Sequence, residues 1–96
     1  MQATNLVHIK GKNKGNILLY TLSTCGWCKK TKSFLNKLGV EYNYINVDEL
    51  DGSEKNKIVE DVKKWNSQIN YPTMIINNKI CIVGFKEKEI KEALDL

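Results

Sequence analysis

Two kinds of apolar pattern alternate along this chain: short, nearly continuous runs, and stretches where apolar residues recur every three or four positions. The first kind predicts strands and the second amphipathic helices. Leu6, Val7, His8 and Ile9 form a brief run with strand character. Lysine, glycine and asparagine follow over 10–15, which is the composition of a turn. Residues 17–22 are apolar apart from Thr21, as expected of a central strand covered on both faces. The run at 6–9 is expected to pair with it as an added edge strand. From 27 to 38, Cys28, Thr31, Leu35 and Leu38 share one helical face with Phe34 beside them. Lys29, Lys30, Lys32 and Lys37 take the remaining surface. Gly39 stands where a helix end favours positive φ. A second strand is expected over 42–47, and so short a βαβ unit places the two strands parallel.

Asp48, Glu49 and Asp51 make the next segment acidic. It lacks the glycine spacing and distal glutamate of a calcium loop, and Asp51 three residues before Glu54 reads instead as a helix cap. The helix so begun runs to about residue 66, with Ile58, Val62 and Trp65 on its inner face. Tyr71, Pro72 and Thr73 precede an apolar run over 74–76. Asn77 and Asn78 suit the positive φ angles of a tight hairpin, and 80–83 is the return strand. Gly84 ends it, and a last helix from about residue 86 turns Ile90, Ala93 and Leu94 inward. The order (β)βαβαββα predicts a single α/β domain over 1–96, a mixed sheet flanked by helices.

Composition narrows the function. Of 96 residues, 42% are hydrophobic, enough for a core without disulfide staples. The first ten residues lack the cationic start, apolar run and cleavage site of a secretory leader. No apolar run approaches the ~20 residues that span a bilayer. The expectation is a soluble, monomeric, cytoplasmic chain with no membrane partner. Three cysteines, an odd number, argue against a secreted disulfide framework. All 15 basic residues are lysines. Without arginine, the usual reader of guanine and phosphate, nucleic acid is not an expected partner. Residues 1–40 hold seven lysines and no acid, whereas 41–96 hold eight lysines and eleven acids. The basic half contains Cys25 and Cys28. It is read either as a field that attracts anionic thiols and acidic proteins or as ordinary solvated lysines.

The motif Thr24-Cys25-Gly26-Trp27-Cys28-Lys29 joins a buried strand to an amphipathic helix inside the βαβ unit, the context of a redox C-x-x-C. Cys25 falls just before the first helical turn, where unpaired N–H groups and the helix dipole stabilise a thiolate. Lys29 and Lys30 are expected to add positive charge. Cys28 lies on the inward stripe, so Cys25 reads as the nucleophile and Cys28 as the thiol that resolves the mixed disulfide. Gly26 is expected to keep the turn open. Trp27 reads as a shield and apolar contact for the pair, or as a helix-start residue packed on its neighbours. Cys81, mid-strand between Ile80 and Ile82, reads as a small hydrophobe. With only Cys25, Cys28, Cys81 and His8 as candidate zinc ligands, no metal site and no cofactor are expected. An iron–sulfur cluster shared between two chains remains the alternative.

From Ile17 to about Leu94 the chain resembles glutaredoxin-like proteins of thioredoxin fold. The resemblance rests on the strand, Cys25-Gly26-Trp27-Cys28, the helix, Tyr71-Pro72-Thr73 before the hairpin, and Gly84-Phe85. It implies a cis peptide at Pro72 facing the cysteine pair, and it implies that Tyr71, Pro72 and Thr73 bind an extended substrate. Tyr20 matches a position that often flanks the bound thiol. Glutathione-using members often carry a lysine shortly before the motif and a Gly-Gly pair with a polar or acidic residue after the last strand. This chain has Leu22-Ser23-Thr24 and Gly84-Phe85-Lys86. That ending is similar to redoxins serving ribonucleotide reductase, and to redoxins of anaerobes and methanogens. The resemblance therefore implies a dithiol reductase of protein disulfides, ribonucleotide reductase among the candidate substrates. It points to electrons from a thioredoxin-reductase-type donor rather than glutathione.

Overall fold

The computed structural model describes residues 6–96. The expectation that no leader occupies the first ten residues therefore falls, over 1–5, outside the described residues. Five strands form one mixed sheet: β1 (Leu6–Ile9), β2 (Ile17–Thr21), β3 (Tyr42–Asn46), β4 (Thr73–Ile76) and β5 (Ile80–Val83). Their order across the sheet is β1-β3-β2-β4-β5. Three helices complete the fold: α1 (Gly26–Leu38), α2 (Gly52–Trp65) and α3 (Glu87–Ala93). This is the thioredoxin-fold architecture implied by the sequence. Among the described residues, no helix is long and apolar enough to cross a membrane.

Strand alternation sorts the core into two layers. Ile17 and Leu19 of β2, Tyr42 of β3, Met74 and Ile76 of β4 and Ile82 of β5 pack with Leu35 of α1 and Ile90 and Leu94 beside α3. Tyr20, Ile45 and Ile75 face the other way and pack with Val62 of α2, joined by Val47 and Leu50. The α1 and α3 layer is thus separated from the α2 layer by the sheet. β2 and β3 are parallel, so their C-terminal ends meet at one rim of the sheet, where α1 starts.

One pairing differs from expectation. β1 is an edge strand, but it pairs antiparallel with β3 and not with β2. The reason is that a strand has only two edges, and β2 gives one to β3 and the other to β4. The β1–β3 register is marked by His8 opposite Asn43, the ring Nδ1 lying 2.8 Å from the amide oxygen. Behind β1 the chain crosses close to the end of α1. Lys12 N–H donates to Gly39 O at 2.9 Å, and Glu41 N–H donates to Lys12 O at 2.8 Å. A Cβ on Gly11 would lie 2.6 Å from the Val40 backbone, so only glycine permits that approach.

The local signals read from the sequence act largely as expected. Gly39 adopts φ 71° and its N–H closes on Leu35 and Asn36. Asn77 and Asn78, at φ 54° and 56°, make the β4–β5 turn. Asp51 does stand immediately before α2, but its side chain makes no capping hydrogen bond. A 3₁₀ turn over Val47–Glu49 bridges β3 to α2, shorter on the strand and longer on the turn than predicted.

Candidate active site

β2 ends at Thr21, and the chain turns through Leu22, Ser23 and Thr24 before α1. The Cys25 N–H donates to Leu22 O at 3.2 Å and fixes the turn. Cys25 then occupies the capping position in extended conformation, and its Sγ accepts the Cys28 N–H at 3.2 Å. A hydroxyl or carboxylate oxygen commonly fills this role at helix starts; here a sulfur does so. Cys25 is half-buried, whereas Cys28 is completely buried. Burial, and next the hydrogen bond with Cys25, push the Cys28 thiol up to about 12. A backbone hydrogen bond with Leu22 and the Lys32 ammonium oppose that rise. The two sulfurs are therefore adjacent but unequal.

The residues between and around them divide. Gly26 is the first helical residue, with no positive φ, and a Cβ there would meet nothing within 4 Å. Gly26 supplies open room at the helix start without an unusual backbone. Trp27 is 58% exposed, with the Lys30 ammonium 4.7 Å over its ring and the Phe85 ring 6.3 Å away. Phe85 also meets Phe34 edge-on at 5.7 Å. Trp27 is thus part of an aromatic ridge beside the pair and not a core residue. Lys29 is exposed. The Thr31 hydroxyl, fully buried, donates to Trp27 O at 2.8 Å and secures the first turn.

The Tyr71–Pro72 peptide is cis. Burial, and next the charge of Cys28, raise the Tyr71 phenol above its ordinary pKa, so Tyr71 and the cysteine pair share one electrostatic neighbourhood. Pro72 is buried, and its carbonyl accepts the Gly84 N–H at 2.8 Å, which fixes β5 against this segment. Thr73 is fully buried with its hydroxyl donating to Asn70 O at 2.6 Å. Of the three, Thr73 has its side chain taken up by the loop that carries it.

Tyr20 points into the α2 layer at 5% exposure. There it lines a cleft of about 390 Å³ with Asp61, Lys64, Trp65 and Asn78. Burial, and next Asp61, raise its phenol. Strand alternation turns position 20 opposite to positions 19 and 21, onto the cluster against which Tyr71 also packs. Cys81 points the same way from β5, half-buried, its Sγ 3.7 Å from Trp65 O. Neither Cys25 nor Cys28 lines that cleft.

Three groups near the pair were not singled out in the sequence. Lys32, assigned to the remaining surface, is half-buried and interacts with both sulfurs. Asn46, at the end of β3, accepts from Lys32 Nζ at 3.3 Å and from the buried Thr21 hydroxyl. Asp48 accepts from the Ser23 N–H at 2.8 Å and from the Ser23 hydroxyl, which ties the loop before Cys25 to the 3₁₀ turn. Those two bonds hold the Asp48 carboxyl below its ordinary pKa. Only the i, i+4 spacing of Cys28 and Lys32 signalled any of this. Among the described residues, no group of three or more His, Cys, Asp or Glu side chains is placed to hold a metal ion.

Comparison with known proteins agrees with this geometry. The glutaredoxin family model matches residues 17–81. The chain is 33% identical over 79 residues to a glutaredoxin-like 8.6 kDa protein in the rubredoxin operon of Clostridium pasteurianum, spanning 82% of this chain and 97% of that one. The glutaredoxin from Methanosarcina mazei is 47% identical, with a TM-score of 0.89 over 99% of this chain and 92% of that one. Methanoredoxin of Methanosarcina acetivorans is 48% identical, with a TM-score of 0.86 over 90% of each chain.

Proposed function

The chain belongs to the glutaredoxin family of thiol–disulfide oxidoreductases, and from that premise we propose a dithiol reductase of protein disulfides that cycles Cys25 and Cys28 between thiols and a disulfide. The observation that carries this reading is the pair itself: one sulfur capping a helix start, the other buried one turn on. In the first step the Cys25 thiolate attacks a sulfur of the substrate disulfide. A mixed disulfide forms and one substrate thiolate leaves. In the second step Cys28 attacks Cys25, the internal disulfide forms, and the second substrate thiol is released.

Tyr71 and Pro72 are the proposed wall against which an extended substrate lies, with Thr73 bracing that wall from beneath. Trp27 and Phe85 supply an apolar contact on the other side. Lys29 and Lys30 contribute a basic rim suited to an acidic partner, such as the disulfide-bearing tail of a reductase subunit. The proposed electron source is a thioredoxin-reductase-type donor. This rests on the absence of a lysine in Leu22-Ser23-Thr24 and on Gly84-Phe85-Lys86 in place of a Gly-Gly pair with a polar or acidic residue. The proposed setting is a reducing compartment, the cytoplasm, where a single-domain monomer carries electrons between larger proteins.

Insulin reduction under dithiothreitol tests the reaction. Wild type is expected to accelerate precipitation well above Cys25→Ser, and equal rates would sink the assignment. Recycling with glutathione and glutathione reductase, set against thioredoxin reductase with NADPH, tests the donor. Turnover with glutathione alone would overturn that part and leave the dithiol chemistry standing.

A further inference from the structure

We infer that Lys32 is a positioning residue for the second half of this reaction: its ammonium, held by Asn46, stabilises Cys28 as a thiolate while it displaces the partner from Cys25. The inference rests on the dithiol reading above and assigns that site a residue beyond the cysteines and the substrate wall.

The problem the site must solve is burial. Cys28 is wholly enclosed, so its thiol is reluctant to ionise, yet the displacement requires a thiolate. Lys32 follows Cys28 by one helical turn, so the two side chains share a face of α1. The ammonium is not left free in solvent. It lies 3.3 Å from Asn46 Oδ1 and 3.9 Å from the centre of the Tyr44 ring. The same Asn46 oxygen accepts the hydroxyl of Thr21, which is fully buried, and Asn46 Nδ2 donates to Glu49 Oε1 at 3.2 Å. An amide held from β2 and from the 3₁₀ turn thus fixes where the charge sits.

The charged groups around Lys32 have clear signs. Burial holds its pKa below the ordinary lysine value, against the opposing pull of Cys28, Glu49, Asp48 and Cys25, in that order. Tyr44 offers its ring face, which also favours a cation. Tyr71 faces Cys28 from the substrate wall. In the proposed role Lys32 acts as a positive charge on the face of α1 that carries Cys28. In the step itself, the Cys28 thiol loses its proton and the thiolate attacks Cys25 Sγ. The Cys25–Cys28 bond forms as the Cys25–partner bond breaks. The departing partner sulfur takes up a proton, so the exchange is balanced without another reactant.

Lys29 and Lys30 do not substitute for it. Both are exposed, and Lys30 sits over Trp27. Removing the Lys32 charge raises the thiol's resistance to ionisation but also makes the thiolate formed more nucleophilic. With a Brønsted slope of about 0.4–0.5, the two effects partly cancel, so a tenfold loss of thiolate becomes a loss in rate of roughly threefold.

Double-mixing stopped flow tests this. Reduced protein is loaded with 5,5′-dithiobis(2-nitrobenzoate), and the release of the second thionitrobenzoate from Cys25 follows the step. Lys32→Met is expected to slow that release by roughly threefold near pH 7. Lys32→Arg should retain most of the rate. The first release, measured in Cys28→Ser and Cys28→Ser/Lys32→Met proteins, should change less. An unchanged second release, equal slowing of both steps, or a Lys32→Arg protein as slow as Lys32→Met would overturn the role of Lys32. If Lys32→Met melts early, Lys32→Gln carries the same comparison. Cys28→Ser alone is the control for the underlying reading: if it still releases the second thionitrobenzoate, the assignment of Cys28 fails, whatever Lys32 does.

Discussion

Cys28 and Cys81 are both thiols that burial makes harder to ionise, and they sit in regions with very different chemistry. Cys28 lies in the first turn of α1, with a second sulfur on its own N–H, an ammonium one turn on and Tyr71 nearby. Cys81 lies on the edge strand β5, where the contact of its sulfur is the Trp65 carbonyl at 3.7 Å. The lesson is that a resistant thiol is by itself only a packing residue. Reactivity comes from the helix start, the neighbouring sulfur and the fixed positive charge that surround it.

The largest expected effect separates these regions outright. Cys28→Ser should leave the substrate covalently attached to Cys25, seen as an adduct by intact mass, whereas Cys81→Ser should turn over insulin within about twofold of wild type. A stable adduct on Cys28 in a Cys25→Ser protein would reverse the roles of the pair. Stability should show the same contrast. Leu35, fully buried on the inner face of α1, should cost about 2–5 kcal/mol when cut to alanine, while Ile80 on β5, 41% exposed, should cost less than about 1 kcal/mol. Denaturant midpoints measure both, and a costly Ile80→Ala would show that the β5 edge is covered in solution.

Alkaline pH sharpens the comparison further. The folded-state pKa of Cys28 is raised from an ordinary 9.0 to about 12, so the unfolded chain releases that proton first. Its contribution is fully present below pH 9 and is lost as pH rises towards about 12. Reduced wild type should therefore lose thermal stability over that window more steeply than Cys28→Ala, with Tyr20 and Tyr42 contributing equally to both. The smallest effect is expected at the rim. Asp48 is held below its ordinary pKa by Ser23, so its contribution is present at neutral pH and lost on acidification through its folded-state value. Asp48→Asn should make the melting temperature slightly less dependent on pH between 6 and 3, by a degree or two because the group is exposed.

Much of the fold was legible because its signals are local. Gly39 at φ 71°, the paired asparagines of the β4–β5 turn and the continuous apolar run of β2 each depend on a few adjacent residues. The pairing of β1 was not legible. Leu6 and Val7 are each more than a third exposed, and such a strand has no face strong enough to choose a neighbour. The side chain of Asp51 failed as a cap although its position was right. Alternation along β2 places Tyr20 with Leu18 and Leu22, on the face that α2 covers.

The sequence by itself determined the cysteine pair, its place at a strand–helix junction and which sulfur faces inward, because spacing along a helix sets these within a few residues. Only the tertiary structure decided what surrounds the pair. Asn46 reaches Lys32 from β3, Asp48 reaches Ser23 from the 3₁₀ turn, and Phe85 reaches Trp27 from beyond β5. Each of these contacts joins segments far apart in the chain, and their meeting is fixed by strand order and register. The charge that settles the fate of the buried thiol is a lysine that looked, in the sequence, like any other on the outer face of a helix.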